Sequence, residues 1–154
     1  MKRRALLQGG SVAFMLAAPG LVGPVFAQPA LSTADWNRAG FEAKTAAEAI
    51  RYLGSGSVVA SRDILIEMQD VIENGARTRI EVTSRIPNTQ ALSIVTDRNP
   101  YPLAATFHFA NGAEPYVSTL IKVAESGTIR VIVSADGRLH VATRDVKTTI
   151  GGCG

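Results

Sequence analysis

From Val58 onward the apolar residues of this chain alternate with polar ones, and that period of two admits a strand and excludes an amphipathic helix. Ile64, Ile66 and Met68 share one parity, and so do Ile80 and Val82. Leu103, Ala105, Phe107 and Phe109 form another set, followed by Val117, Thr119, Ile121 and Val123. Then come Ile129, Val131 and Val133, and after them Leu139, Val141 and Thr143. Turn pairs punctuate these runs: Asn74-Gly75, Asn99-Pro100, Asn111-Gly112, Ser126-Gly127 and Asp136-Gly137. About seven short strands with a turn every ten or so residues predict a mainly β chain, an immunoglobulin-like antiparallel β-sandwich.

Ahead of the strands the period is helical. Thr45-Ala46-Ala47-Glu48 has the spacing of a capping box, as does Ser32-Thr33-Ala34-Asp35. Ala46, Ala49, Ile50 and Leu53 then share one helical face, and Gly54 is a stop, so a helix is expected over 46–53. Gly54-Ser55-Gly56-Ser57 reads as a hinge. The expected organisation is a leader over 1–27, a short helical preface and hinge over 28–57, the sandwich over 58–149 and a flexible Gly-Gly-Cys arm over 150–154.

The leader begins with Lys2, Arg3 and Arg4 and continues without a charge through Ala27. Gly9, Gly10, Pro19, Gly20, Gly23 and Pro24 make that stretch a poor membrane helix. It reads as a signal peptide ending at Val25-Phe26-Ala27, and the pair Arg3-Arg4 before Ala5-Leu6-Leu7 marks a twin-arginine leader. The expected location is therefore the periplasm. Removing the leader leaves 127 residues, enough for one domain with a sizeable core. All 13 acidic side chains stay, and three of the 16 basic ones leave with the leader, so the mature chain is formally neutral. Neutrality argues against a nucleic-acid partner or an anionic membrane surface.

The chain has one cysteine, Cys153. In an exported protein an unpaired cysteine points to intermolecular pairing or to a reactive thiol. It stands in Ile150-Gly151-Gly152-Cys153-Gly154, where Gly151, Gly152 and Gly154 have no side chain to bury. Such a tail suits a thiol that carries a covalently bound group into narrow active sites. It suits equally a terminus that only staples a dimer through a disulfide. Catalysis by Cys153 itself is not expected. No base or cation adjoins it in sequence, and the carboxylate of Gly154 disfavours the thiolate. His108, His140, Met68 and Cys153 together match the inventory of a blue-copper site. A glycine tail is no rigid cage, however, so no metal or other cofactor is expected. Both histidines alternate against apolar neighbours and are expected to face outward. No hydrolase motif is present, and the chain is not expected to be an enzyme.

The ending Asp145-Val146-Lys147-Thr148-Thr149-Ile150-Gly151-Gly152-Cys153-Gly154 closely resembles the carboxyl terminus of the SoxY family, the sulfur carriers of the bacterial thiosulfate-oxidising Sox system. Asp70-Val71-Ile72-Glu73-Asn74-Gly75, Asn99-Pro100-Tyr101-Pro102, Tyr116-Val117-Ser118-Thr119-Leu120-Ile121-Lys122 and Phe41-Glu42-Ala43-Lys44-Thr45 resemble further segments of that family. The resemblance implies that Cys153 is the site of covalent sulfur attachment and that Gly151, Gly152 and Gly154 form its arm. It also implies a complex with a SoxZ-like subunit. A haem-containing thiosulfate oxidase would load the thiol, a hydrolase would release sulfate, and a sulfane dehydrogenase would oxidise the sulfur that remains. Two departures stand out. The family usually has two glycines after the cysteine, where this sequence has Gly154. It commonly has an arginine and a methionine where Leu120 and Val123 stand, which bears on partner contacts.

Overall fold

The computed structural model describes residues 36–110 and 112–149. Two short helices, α1 (Arg38–Glu42) and α2 (Ala46–Arg51), precede nine strands: β1 (Val58–Ala60), β2 (Ile64–Glu67), β3 (Val71–Ile72), β4 (Thr78–Ser84), β5 (Thr89–Thr96), β6 (Leu103–His108), β7 (Tyr116–Ile121), β8 (Gly127–Ala135) and β9 (Arg138–Thr148). The larger sheet runs β1-β9-β8-β5-β6, with β3 also paired to β9, and the smaller runs β2-β4-β7. The chain is thus the mainly β sandwich that the alternation predicts. Its ladders are antiparallel except at one edge, where β1 and β3 both lie parallel to β9.

The two sheets close on one apolar layer. Ile64, Ile80, Val82, Val117 and Ile121 of the smaller sheet meet Leu92, Ile94, Ile129, Val131 and Val133 of the larger, all buried. The opposite face of the larger sheet is covered by the helical preface, where Ala43 and Ala49 pack on Val95, Leu103, Ile132 and Leu139. The larger sheet is therefore buried on both sides at its centre. That explains β5, which no alternation announces: Leu92, Ser93, Ile94, Val95 and Thr96 are all buried, so the strand shows an unbroken run.

The shared parity expected for Leu103, Ala105, Phe107 and Phe109 is corrected by a bulge. Ile94 stands opposite Ala105, but Val95 stands opposite Leu103, which leaves Ala104 as the extra residue. One inserted residue turns the strand over. Phe107 and Phe109 pack toward the smaller sheet, while Leu103 packs under the helices with Val95.

Turn chemistry follows the sequence closely at β8–β9. Asp136 and Gly137 have φ of +49° and +72°. Both central residues of this two-residue hairpin are thus left-handed, the combination Asp-Gly supplies. In the preface, Thr45 caps α2, its hydroxyl accepting from the Glu48 amide at 3.2 Å. The Glu48 carboxylate accepts from the amide of Lys44 at 3.1 Å, one residue before the cap. The helix ends at Arg51, earlier than the expected 53, and Gly54 then passes against Leu139. Helix α1, capped by Asn37 through a bond from the Gly40 amide at 3.0 Å, is too short to show a periodic signal. The capping spacing expected at 32–35 lies outside the described residues.

Candidate functional site

The expected site residues, Cys153 with Gly151, Gly152 and Gly154, lie outside the described residues, as do Arg3 and Arg4. The structure describes what they are attached to: the end of β9. Strand β9 is the longest of the nine. Over most of its length β8 holds it, in an unbroken ladder from Ala135↔Arg138 to Gly127↔Val146. Beyond Val146 a different set of partners takes over. The Lys147 amide donates to the Asp70 carbonyl at 2.8 Å, and the Thr149 amide donates to the Ile72 carbonyl at 3.1 Å. From the other side, the Thr148 amide donates to the Ser126 hydroxyl at 2.9 Å. Cys153 follows four residues after Thr149 in sequence.

Strand β3 and Asp70 just before it supply those carbonyls. Ile72 is buried in the layer between the sheets, while Val71 beside it is half exposed. Its placement is reinforced by Arg144, whose Nε donates to Asp70 Oδ1 at 3.0 Å and whose Nη1 donates to the Ile66 carbonyl at 3.1 Å. Just past β3, Gly75 packs against the segment after β7. The Val123 amide donates to the Gly75 carbonyl at 2.7 Å, and a Cβ on Gly75 would lie 2.2 Å from the Val123 carbonyl oxygen. Only glycine fits that approach. Asn99 braces the same segment, donating from Nδ2 to the Lys122 carbonyl at 2.7 Å and accepting from the Ala124 amide at 2.8 Å. Lys44 of the preface places Nζ 3.5 Å from the centre of the Tyr101 ring, a cation–π contact.

The four upstream segments singled out in the sequence are thereby joined in one path. Residues 41–45 touch 99–102, residues 99–102 brace the end of 116–122, and the loop that follows bonds to 70–75, which holds the end of β9. The sequence marked these segments separately. Their convergence on the root of the tail is a property of the fold.

The electrostatics beside this root are mixed. A cleft of about 480 Å³ adjoins it, lined by Ile72 and Met68 among others. Its wall has three carboxylates, Glu67, Glu73 and Glu81, against two guanidinium groups, Arg77 and Arg79, so charge alone does not favour an anion there. Glu81 accepts from the Tyr116 hydroxyl at 2.7 Å and from Arg79 Nε at 2.8 Å. The Tyr116 bond, and then Arg79, hold the Glu81 carboxyl below its ordinary value. The same bond raises the Tyr116 phenol.

The histidines sit apart in the sheet. His108 is exposed on β6, opposite Ala91 on the side of the helices. His140 is half-buried rather than outward-facing: it shares the face of Ala142 and Val146, which packs toward the smaller sheet. The outward expectation fails there because both faces of β9 are partly covered. Met68 packs against the layer between the sheets. Among the described residues no group of three His, Cys, Asp or Glu side chains could hold a metal ion.

The family model described as "Sulfur oxidation protein SoxY" matches residues 50–153, which spans the sandwich, the root and Cys153. The chain belongs to the SoxY family. A solved member, the sulfur carrier protein SoxY from Chlorobium limicola f thiosulfatophilum, is 34% identical with a TM-score of 0.58, over 62% of this chain and 87% of that one. The toxic shock syndrome toxin-1 superantigen structure matches at 16% identity over 55% of this chain and 98% of that one. Its TM-score is 0.38. No curated protein sequence matches the chain. Membership of the SoxY family agrees with the resemblance of the tail and of the four upstream segments.

Proposed function

We propose that this chain is a periplasmic covalent sulfur carrier, itself not an enzyme, in which Cys153 holds thiosulfate-derived sulfur while partner enzymes act on it. The observation that carries this reading is that the SoxY match runs through Cys153, beyond a strand whose end is held as far as Thr149. A solved relative at 34% identity is a sulfur carrier. The rigid part presents the root, and Gly151, Gly152 and Gly154 offer no side chain to obstruct passage into an active site.

In this reading the Cys153 thiolate and thiosulfate are joined by an S–S bond to give a cysteine S-thiosulfonate, and the two electrons pass to a haem-containing oxidase. Hydrolysis then transfers the sulfonate group to water, releasing sulfate and a proton and leaving a persulfide on Cys153. A sulfane dehydrogenase oxidises that outer sulfur to a sulfonate with oxygen from water, taking up the electrons and releasing protons. A second hydrolysis breaks the S–S bond to release sulfate and free the thiol. Activation of the thiol is the work of the partners, because no base adjoins it in sequence. The chain acts as a heterodimer with a SoxZ-like subunit and is exported by the twin-arginine route. It uses no metal or other cofactor.

The test is Cys153→Ser in cells that grow on thiosulfate. The reading expects sulfur oxidation to be lost while the complex with the SoxZ-like subunit still purifies intact. Unchanged oxidation would overturn it. Loss of the complex would favour an assembly module whose cysteine forms an intermolecular disulfide.

A further inference from the structure

Strand β3 is two residues long and pairs, among the described residues, with β9 alone. A ladder that short does not order itself against the entropy of fixing the chain. Two things hold it. The side chain of Ile72 is buried in the core, and Arg144 fastens the approach to β3 onto β9. Arg144 stands on β9 itself, opposite Ile129 and two residues before the β8 ladder ends at Val146. Its fork spans the Ile66 carbonyl at the end of β2 and the Asp70 carboxylate just before β3, with Nη2 2.7 Å from Asp70 Oδ1. Asp70 in turn supplies the carbonyl that takes the Lys147 amide. One planar group thus links both sides of the β2–β3 connection to β9, which a lysine ammonium does not do.

We infer that Arg144 is a positioning residue for the carrier arm: by fastening residues 66–70 to β9 it keeps β3 on Lys147 and Thr149 and so sets Thr149 as the residue from which the arm extends. The purpose assigned to the arm rests on the proposed function; the fastening does not. With the root at Thr149, the Cα of Cys153 stays within roughly 14 Å of it, at about 3.4 Å per residue. If β3 lets go, the Ser126 hydroxyl at Thr148 is what holds the chain beyond Val146 among the described residues. Once that contact also opens, Cys153 hangs from Val146 with a reach of roughly 24 Å. Lengthening the tether from four to seven residues dilutes the thiol at a docked partner about twofold. A fixed root keeps the carried group concentrated where a partner meets the end of β9.

The experiment uses the mature chain with Arg144→Met, which keeps the aliphatic stem, and with Arg144→Lys. Amide exchange is followed by NMR. Exchange at Lys147 and Thr149 is expected to accelerate about tenfold or more in Arg144→Met, and by less in Arg144→Lys, while Ile94 and Val131 at the centre of the larger sheet keep wild-type rates. A nitroxide on Cys153, the single cysteine, is expected to broaden amides farther from β9 in Arg144→Met than in wild type. Wild-type exchange at Lys147 and Thr149 would overturn the inference. So would equal acceleration at Ile94 and Val131, which would make Arg144 an ordinary stability residue. An unchanged broadening pattern would also contradict it. A Cys153 that never carries sulfur would refute the proposed function and leave all of these readouts as they are.

Discussion

The Thr149 amide donates to the Ile72 carbonyl at 3.1 Å, so the end of the longest strand is held by the shortest. Ile72 does this with its side chain in the core, 2% exposed. Packing between the sheets and the placement of the tail therefore share one residue.

Replacing Ile72 by alanine should show that coupling. Removing a buried isoleucine side chain costs about 2–4 kcal/mol, and urea denaturation is expected to register a loss of that size. The amide of Thr149 should exchange faster than the loss of global stability accounts for. A loss below about 1 kcal/mol would mean that Ile72 is not the anchor described.

Gly75→Ala tests the close approach behind the root. The new methyl group would meet the Val123 carbonyl oxygen at 2.2 Å, which is backbone and does not swing aside. The segments must separate, weakening the bond from the Val123 amide, and a loss of about 1–3 kcal/mol is expected. A melting temperature equal to wild type would contradict the geometry.

Tyr116→Phe tests the pair on the outer face of the smaller sheet. The Glu81 carboxyl is held below its ordinary value in the folded chain. Its contribution is present above the ordinary carboxylate range and fades as pH falls through the lowered value. The phenol, raised by the same bond, contributes below its ordinary range and fades as pH rises through the raised value. The stability gap between wild type and variant should therefore be widest between those ranges and narrow toward both. Carboxyl NMR should also show Glu81 titrating higher in the variant. A gap that does not vary with pH would contradict this.

Replacing Arg3 and Arg4 together with lysine tests the export route. The twin-arginine route moves folded proteins, so a partner without a leader can cross bound to this chain. Both proteins are expected to stay in the cytoplasm, as fractionation and immunoblotting would show. A SoxZ-like subunit exported normally in that strain would contradict the account.

The sandwich was legible because β4, β7 and the hairpin β8–β9 have at least one face whose burial follows the alternation, and because Asp136-Gly137 demands a particular turn. What escaped had physical causes. Strand β5 is buried on both faces and has no period. Leu103 changes face through a bulge that hydropathy does not register. β1 and β3 are edge pieces of three and two residues whose partner is remote in sequence. At the site, Cys153 was conspicuous as a lone cysteine among glycines, and the segment 70–75 was singled out only by likeness. Its role in holding β9 depends on Arg144 meeting Asp70 from 74 residues away. No local pattern encodes that contact.

Whether Cys153 carries sulfur is read from the intact mass of the mature protein from thiosulfate-grown cells, with and without a thiol reductant. Sulfur adducts on Cys153 that the reductant removes are expected. An unmodified thiol, or only a disulfide-linked homodimer, would contradict the carrier role.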